Sequence, residues 1–102
     1  MNTKQIQTKF EAYLLTEKRV SKNTFLSYQK DLSQFIDFLE KNEISFEKIS
    51  SDDLKRFIHF LYGLKLSAAS IGRKISTLKT FFAYVAMHFD MKNHAKELHI
   101  PR

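Results

Sequence analysis

Apolar positions along the chain recur three and four residues apart, the spacing of a helix with one buried face, and no stretch alternates as a strand would. Four such stretches follow one another. The first covers about Thr3 to Lys18, with Ile6, Phe10, Tyr13 and Leu14 on one face, Asn2 as N-cap and Gln5 placed to complete a capping box. The second begins at Ser21 and carries Phe25, Tyr28, Leu32, Phe35, Ile36 and Leu39 as a core-facing stripe. In the connection over 42–49, Ile44, Phe46 and Ile49 are placed to tuck onto the bundle. The third starts after Ser50 or Ser51, with Asp52 and Asp53 in the first turn, where the helix dipole favours carboxylates. It buries Leu54, Phe57, Ile58 and Leu61, and Gly63 is placed to stop it. Ser67 caps the fourth, which reaches about His88 with Ile71, Ile75, Leu78, Phe82, Val85 and Phe89 inward and Gly72 open to close approach. The pattern predicts an all-α domain of four helices over 1–89 and a polar tail over 90–102, where Pro101 bars a helix.

Composition agrees with this and removes several function classes. At 102 residues, 43% of them apolar and ten of them Phe, the chain supports one domain with a core of its own. Two Gly and one Pro leave little turn chemistry for hairpins. Without cysteine there is no disulfide framework, thiolate nucleophile or zinc–thiolate cluster, which fits a cytoplasmic location. No apolar run approaches the roughly 18 residues of a membrane span, so no membrane partner is expected. His88, His94 and His99 do not fall at a metal-ligand spacing, and no Gly-rich phosphate loop or paired acid/base constellation is present. Neither a metal, a cofactor nor a small-molecule substrate is expected.

Charge is unevenly placed. Residues 1–53 hold eight bases and nine acids, whereas 54–89 hold six bases (Lys55, Arg56, Lys65, Arg73, Lys74, Lys79) and no acid, in a chain of net charge +6. On charge alone, a polyanion partner and a solvated surface with a sign bias both fit. The helical wheel adds to this. Opposite the core stripe the second helix carries Asn23, Ser27, Lys30, Gln34 and Lys41, and the fourth carries Ser70, Arg73, Thr77, Thr80 and Tyr84, flanked by Lys74 and Lys79. Both strips lack acids and offer amides, hydroxyls and cations, the groups that reach phosphates and base edges of double-stranded DNA. Phe60, Tyr62 and Phe81 read as core or partner-docking residues.

Two stretches carry a family resemblance. Residues 20–39, VSKNTFLSYQKDLSQFIDFL, resemble the L-S-x-N-T-x-x-x-Y-x-x-D-L-x-x-F-x-x-F-L pattern of the N-terminal core-binding domain of tyrosine recombinases, the Xer-type and phage-integrase group. Residues 66–84, LSAASIGRKISTLKTFFAY, resemble that domain's second signature, L-S-x-x-S-I-x-R-K-I-S-x-L-R-x-F-F-x-Y. The resemblance implies a four-helix SAM-like bundle that forms half of a clamp around duplex DNA, its second and fourth helices facing the DNA. It points to Asn23, Thr24, Ser27 and Lys30 on one helix and Ser70, Arg73, Lys74 and Thr77 on the other as DNA-binding residues. It implies partnership with other recombinase protomers and, in the chromosome-dimer-resolving type, a part in chromosome partition.

Three positions depart from the pattern. Arg19 stands where Gly is common at the first turn. Lys79 replaces an Arg and keeps charge without the bidentate fork. His94 replaces the Pro of an N-P-A element. The family's catalytic Arg, Lys, His and Tyr groups lie in a separate C-terminal domain, and residues 101–102 fall about where the linker to it would begin. The rival readings are a helical protein-interaction module and a helix-turn-helix-like transcription factor, for which the Gly63–Leu66 turn would serve.

Tyr13, Tyr28, Tyr62 and Tyr84 have no Arg/His cluster beside them in sequence, so the chain by itself is expected to be catalytically inert. Incubated with supercoiled plasmid it leaves the topology unchanged and forms no covalent adduct; a protein-linked strand on a denaturing gel would contradict this.

Overall fold

Asn2, Ser21, Ser50 and Ser67 each open a helix because a short side-chain oxygen accepts a first-turn N–H that has no helical partner. In the computed structural model, which describes residues 2–99, the four helices are α1 (Thr3–Thr16), α2 (Lys22–Lys41), α3 (Ser51–Gly63) and α4 (Ala68–Phe89). Two caps are complete boxes. The Asn2 N–H donates to Gln5 Oε1 at 3.0 Å and the Ser50 N–H to Asp53 Oδ2 at 3.0 Å. Between α2 and α3, one 3₁₀ turn at Phe46–Lys48 drops Phe46 and Ile49 into the core, with Ile44 partly buried beside them. No strand occurs among the described residues, so the all-α, four-helix expectation holds. Pro101 lies outside them.

The turns into α2 and α4 share one conformation. Arg19 (φ 50°) and Lys65 (φ 59°) are left-handed, Val20 and Leu66 follow half-buried against the core, and Ser21 and Ser67 then cap the helix. The departure at Arg19 therefore keeps the backbone that glycine would favour, and the larger side chain costs about 1 kcal/mol or more there. α1 ends at Thr16, short of Lys18, because the chain leaves it in a turn closed by the Val20 N–H on the Leu14 carbonyl at 3.1 Å. Gly63 does not provide the stop expected of it. It is the last residue of α3, and the left-handed step falls on Lys65. The apolar residue and serine cap set the register of this turn, as in the hydrophobic staple, and the glycine lies upstream of it.

Packing centres on α4, which meets α1, α2 and α3. Phe10 of α1 lies 5.2 Å from Phe81 and 5.3 Å from Tyr84, ring centroid to centroid. Phe35 of α2 lies 5.1 Å from Phe57 of α3 and 6.0 Å from Phe82. Because α4 is covered from several sides its buried arc is wide, and Thr77 and Tyr84, expected on an outward strip, are buried. After α4 the chain folds back. Asn93 Oδ1 accepts the Ala95 N–H at 3.0 Å, so a turn forms there without proline, and Ala95 is fully buried. Lys79 donates to the carbonyls of Lys96 at 3.2 Å and Leu98 at 2.6 Å, strapping this segment to α4.

Left-handed residues and glycines are thus mismatched in this chain, and two substitutions should each stabilise it. Arg19→Gly relieves a left-handed side chain. Gly63→Ala adds a methyl that meets nothing within 4 Å beyond its chain neighbours and its own helix backbone, in a helical residue. Each should raise stability by up to about 1 kcal/mol, or a melting midpoint by about 4–8 °C per kcal/mol. A lower midpoint for Arg19→Gly would contradict the turn geometry.

Candidate functional site

Asp31 lies on the core side of α2, one turn from Tyr28 and one from Phe35, and its side chain is 1% exposed. An ionised carboxylate in such a place needs compensation, and α4 supplies all of it. Arg73 donates from Nε at 3.1 Å and Nη2 at 3.0 Å, Lys74 from Nζ at 2.9 Å, and Thr77 from Oγ1 at 3.1 Å. Burial pushes the Asp31 carboxyl up, but the hydrogen bonds and charges of Arg73 and Lys74 outweigh it and hold the group below its ordinary value.

This network changes the picture of the outward strips. Lys74 and Thr77 are buried and face Asp31, so neither lies on a solvent strip. The strip on α4, free of acids in sequence, has an acid from α2 beneath it. Arg73 keeps half of its side chain exposed while paired. Asn23, Thr24 and Lys30 are exposed on α2, and Ser27 and Ser70 are half-buried. Thr24 and Ser70 also serve the helix starts, accepting from the Ser21 and Ser67 hydroxyls at 2.9 and 3.1 Å. Lys79 holds the tail.

Five of the eight sequence-predicted residues meet in one cleft of about 300 Å³ between α2 and α4: Asn23, Thr24, Ser27, Arg73 and Thr77. Ser76, absent from the sequence-based selection, lies between Arg73 and Thr77 in this cleft. Its position on the outward side of the fourth helix was the available signal. No carboxylate lines the cleft. Lys30 and Lys74 lie instead in a neighbouring depression along α2, which also contains Asp37; Ser70 lines neither. Of the two, the first cleft has the lining better suited to an anion, with hydroxyl, amide and guanidinium groups around it.

Other candidates have structural explanations. His88 lies against Tyr84 at 4.5 Å, and no group of three or more metal-ligating side chains gathers among the described residues. Burial, with the nearby Glu17 charge and Tyr13, pushes the Tyr84 hydroxyl above its ordinary value. Among the described residues no helix is long and apolar enough to cross a membrane.

Comparison with known proteins gives one consistent result. Residues 8–88 match the family model described as phage integrase, N-terminal SAM-like domain. Tyrosine recombinase XerD of Rickettsia prowazekii is 38% identical over 87 residues, which is 85% of this chain and 27% of that protein. Tyrosine recombinase XerC of Staphylococcus aureus is 39% identical over 79 residues, 78% of this chain and 26% of that protein. The chain thus spans about a quarter of the length of these relatives. The crystal structure of the N-terminal domain of a phage integrase/site-specific recombinase from Haloarcula marismortui superposes with a TM-score of 0.83, covering 99% of this chain and 97% of that one at 19% identity. It shares the fold.

Because the folded carboxyl of Asp31 titrates lower than in the unfolded chain, its stabilising contribution is complete above the ordinary aspartate range and is lost as pH falls through the lowered value. Denaturant midpoints measured from pH 7 down to 2 should fall most steeply below about pH 4. Asp31→Asn should start about 1–3 kcal/mol lower and fall less on the acid side. Parallel acid limbs for the two proteins would remove Asp31 from this account.

Proposed function

Since this chain belongs to the phage integrase N-terminal SAM-like domain family, we propose that it binds duplex DNA through the α2–α4 face, as half of a clamp that a catalytic domain of the same recombinase completes. The observation that carries this reading is the α2–α4 cleft, whose lining joins hydroxyl and amide side chains to a half-exposed guanidinium and includes no acid. A phosphate of the backbone fits that donor set, and Lys30 extends the positive surface along α2. Asn23 and Arg73 are the side chains suited to a base edge if the helices enter the major groove.

In this reading the parent is a tyrosine recombinase that acts with other protomers in the cytoplasm. It breaks and rejoins DNA without metal or nucleotide cofactor, and in the Xer type it serves chromosome partition. The names of the relatives, tyrosine recombinases XerD and XerC, support that assignment. A second reading, protein docking, has in its favour Phe60, Tyr62 and Leu64, exposed at the end of α3. These residues are a natural place for protomer contacts and lie on a different helix from the proposed DNA face.

Binding should be phosphate-dominated and weak for half a clamp. With Lys74 occupied by Asp31, about three to four phosphates are neutralised, so log K should fall with log salt at a slope of roughly −3 to −4, from micromolar affinity. Arg73→Ala should cost about 1–3 kcal/mol, and Lys41→Ala, at the far end of α2, should cost little. Fluorescence anisotropy with a labelled duplex tests this. Equal losses would point to diffuse charge, and no binding at low salt would favour protein docking.

A further inference from the structure

We propose that Asp31 is a positioning residue for DNA recognition: it holds the Arg73 guanidinium by one edge so that the other edge is presented, already oriented, over the α2–α4 cleft. The inference rests on the duplex-binding reading of that face. A guanidinium is a flat fork with five N–H donors. Asp31 takes the Nε and Nη2 donors in a side-on pair, at 3.1 and 3.0 Å. Three donors remain, on Nη1 and Nη2, along the edge that points away from the carboxylate. That edge has the two-pronged geometry that matches a phosphate or the O6/N7 pair of guanine.

Asp31 is itself fixed. A carboxylate offers about four acceptor positions, and here four donors fill them, two from Arg73 and one each from Lys74 and Thr77. All four come from α4, while the carboxylate hangs from α2 with 1% of its side chain exposed. The carboxylate cannot turn without breaking several of these bonds. A free arginine would lose rotamer entropy on binding DNA; this one has lost it in folding, which lowers the cost of association.

The proposal gives Asp31→Asn an effect opposite in sign to simple electrostatics. Removing an anion from beneath a DNA-binding face raises its positive charge, and charge counting predicts tighter binding. Loss of the buttress predicts weaker binding, by about fivefold, against about tenfold for Arg73→Ala. The experiment is a double-mutant cycle by duplex anisotropy at fixed salt, with circular dichroism confirming that each variant is folded at the working temperature. Ile49→Ala, a core substitution outside this face, serves as a similarly destabilised control and should bind as the unaltered chain does.

Weakening by Asp31→Asn that disappears in the Arg73→Ala background supports the proposal. Tighter or unchanged binding, an equal loss in both backgrounds, or an equal loss in the Ile49→Ala control overturns it, while a weakened Arg73→Ala leaves the duplex-binding reading standing. Absence of binding by the unaltered chain at low salt overturns both. If Asp31→Asn does not fold, Arg73→Lys decides, since it keeps the charge and lacks the fork. A loss close to that of Arg73→Ala supports the proposal, and affinity equal to that of the unaltered chain overturns it.

Discussion

A carboxylate taken out of water must be answered where it stands, and in this protein the answer to Asp31 comes entirely from one neighbouring helix. The consequence is geometric. Two helices joined only by apolar packing can slide and repack at modest cost, but α2 and α4 meet at a point where four hydrogen bonds converge on two oxygens. The aromatic packing of Phe35, Phe57 and Phe82 below then has a fixed frame to fill, and the cleft above has a fixed wall. The domain's candidate DNA face is thus set by an interaction that is itself almost wholly buried.

The sequence was most legible where physics is local. Helix starts could be read from a capping residue, to within the choice of Ser50 or Ser51 at α3, since a cap needs only a side-chain oxygen and the next three residues. The α2 stripe was nearly as plain because α2 buries a single arc, although Phe38 at its edge was missed. The α4 wheel misplaced Lys74, Thr77 and Tyr84, since a wheel assumes one buried side and α4 is covered by three helices. Asp31 was overlooked for a related reason. Its partners lie 42 to 46 residues away in sequence, beyond any local pattern. A signal was nevertheless present, for an acid set one turn from Tyr28 and one from Phe35 sits in an apolar stripe and requires a buried cation elsewhere.

Charge tallies along the chain carry a similar lesson. The acid-free stretch of 54–89 contains four cations whose partners the fold supplies. Arg73 and Lys74 share the Asp31 carboxylate, Lys79 bonds to backbone carbonyls, and Arg56 lies 3.7 Å from Asp53. What the α2–α4 face offers a polyanion is an arrangement: a guanidinium edge, a few hydroxyls and an amide around one cleft. The net charge of +6 is unchanged by these pairings, so the fold adds local geometry to a field that the whole chain still supplies.

The strap between Lys79 and the carbonyls of Lys96 and Leu98 gives the bundle a mechanical character. Lys79 lies less than two helical turns from Arg73 along α4. The tail and the guanidinium wall of the cleft are therefore attached to the same stiff rod, close together, and on opposite sides of no intervening joint. Ala95, buried in the core, and Leu98, packed against it, fasten the same segment by apolar contact, so strap and core hold the tail together. The tail is thus held by two kinds of bond at once, and one of them comes from the helix that bears Arg73.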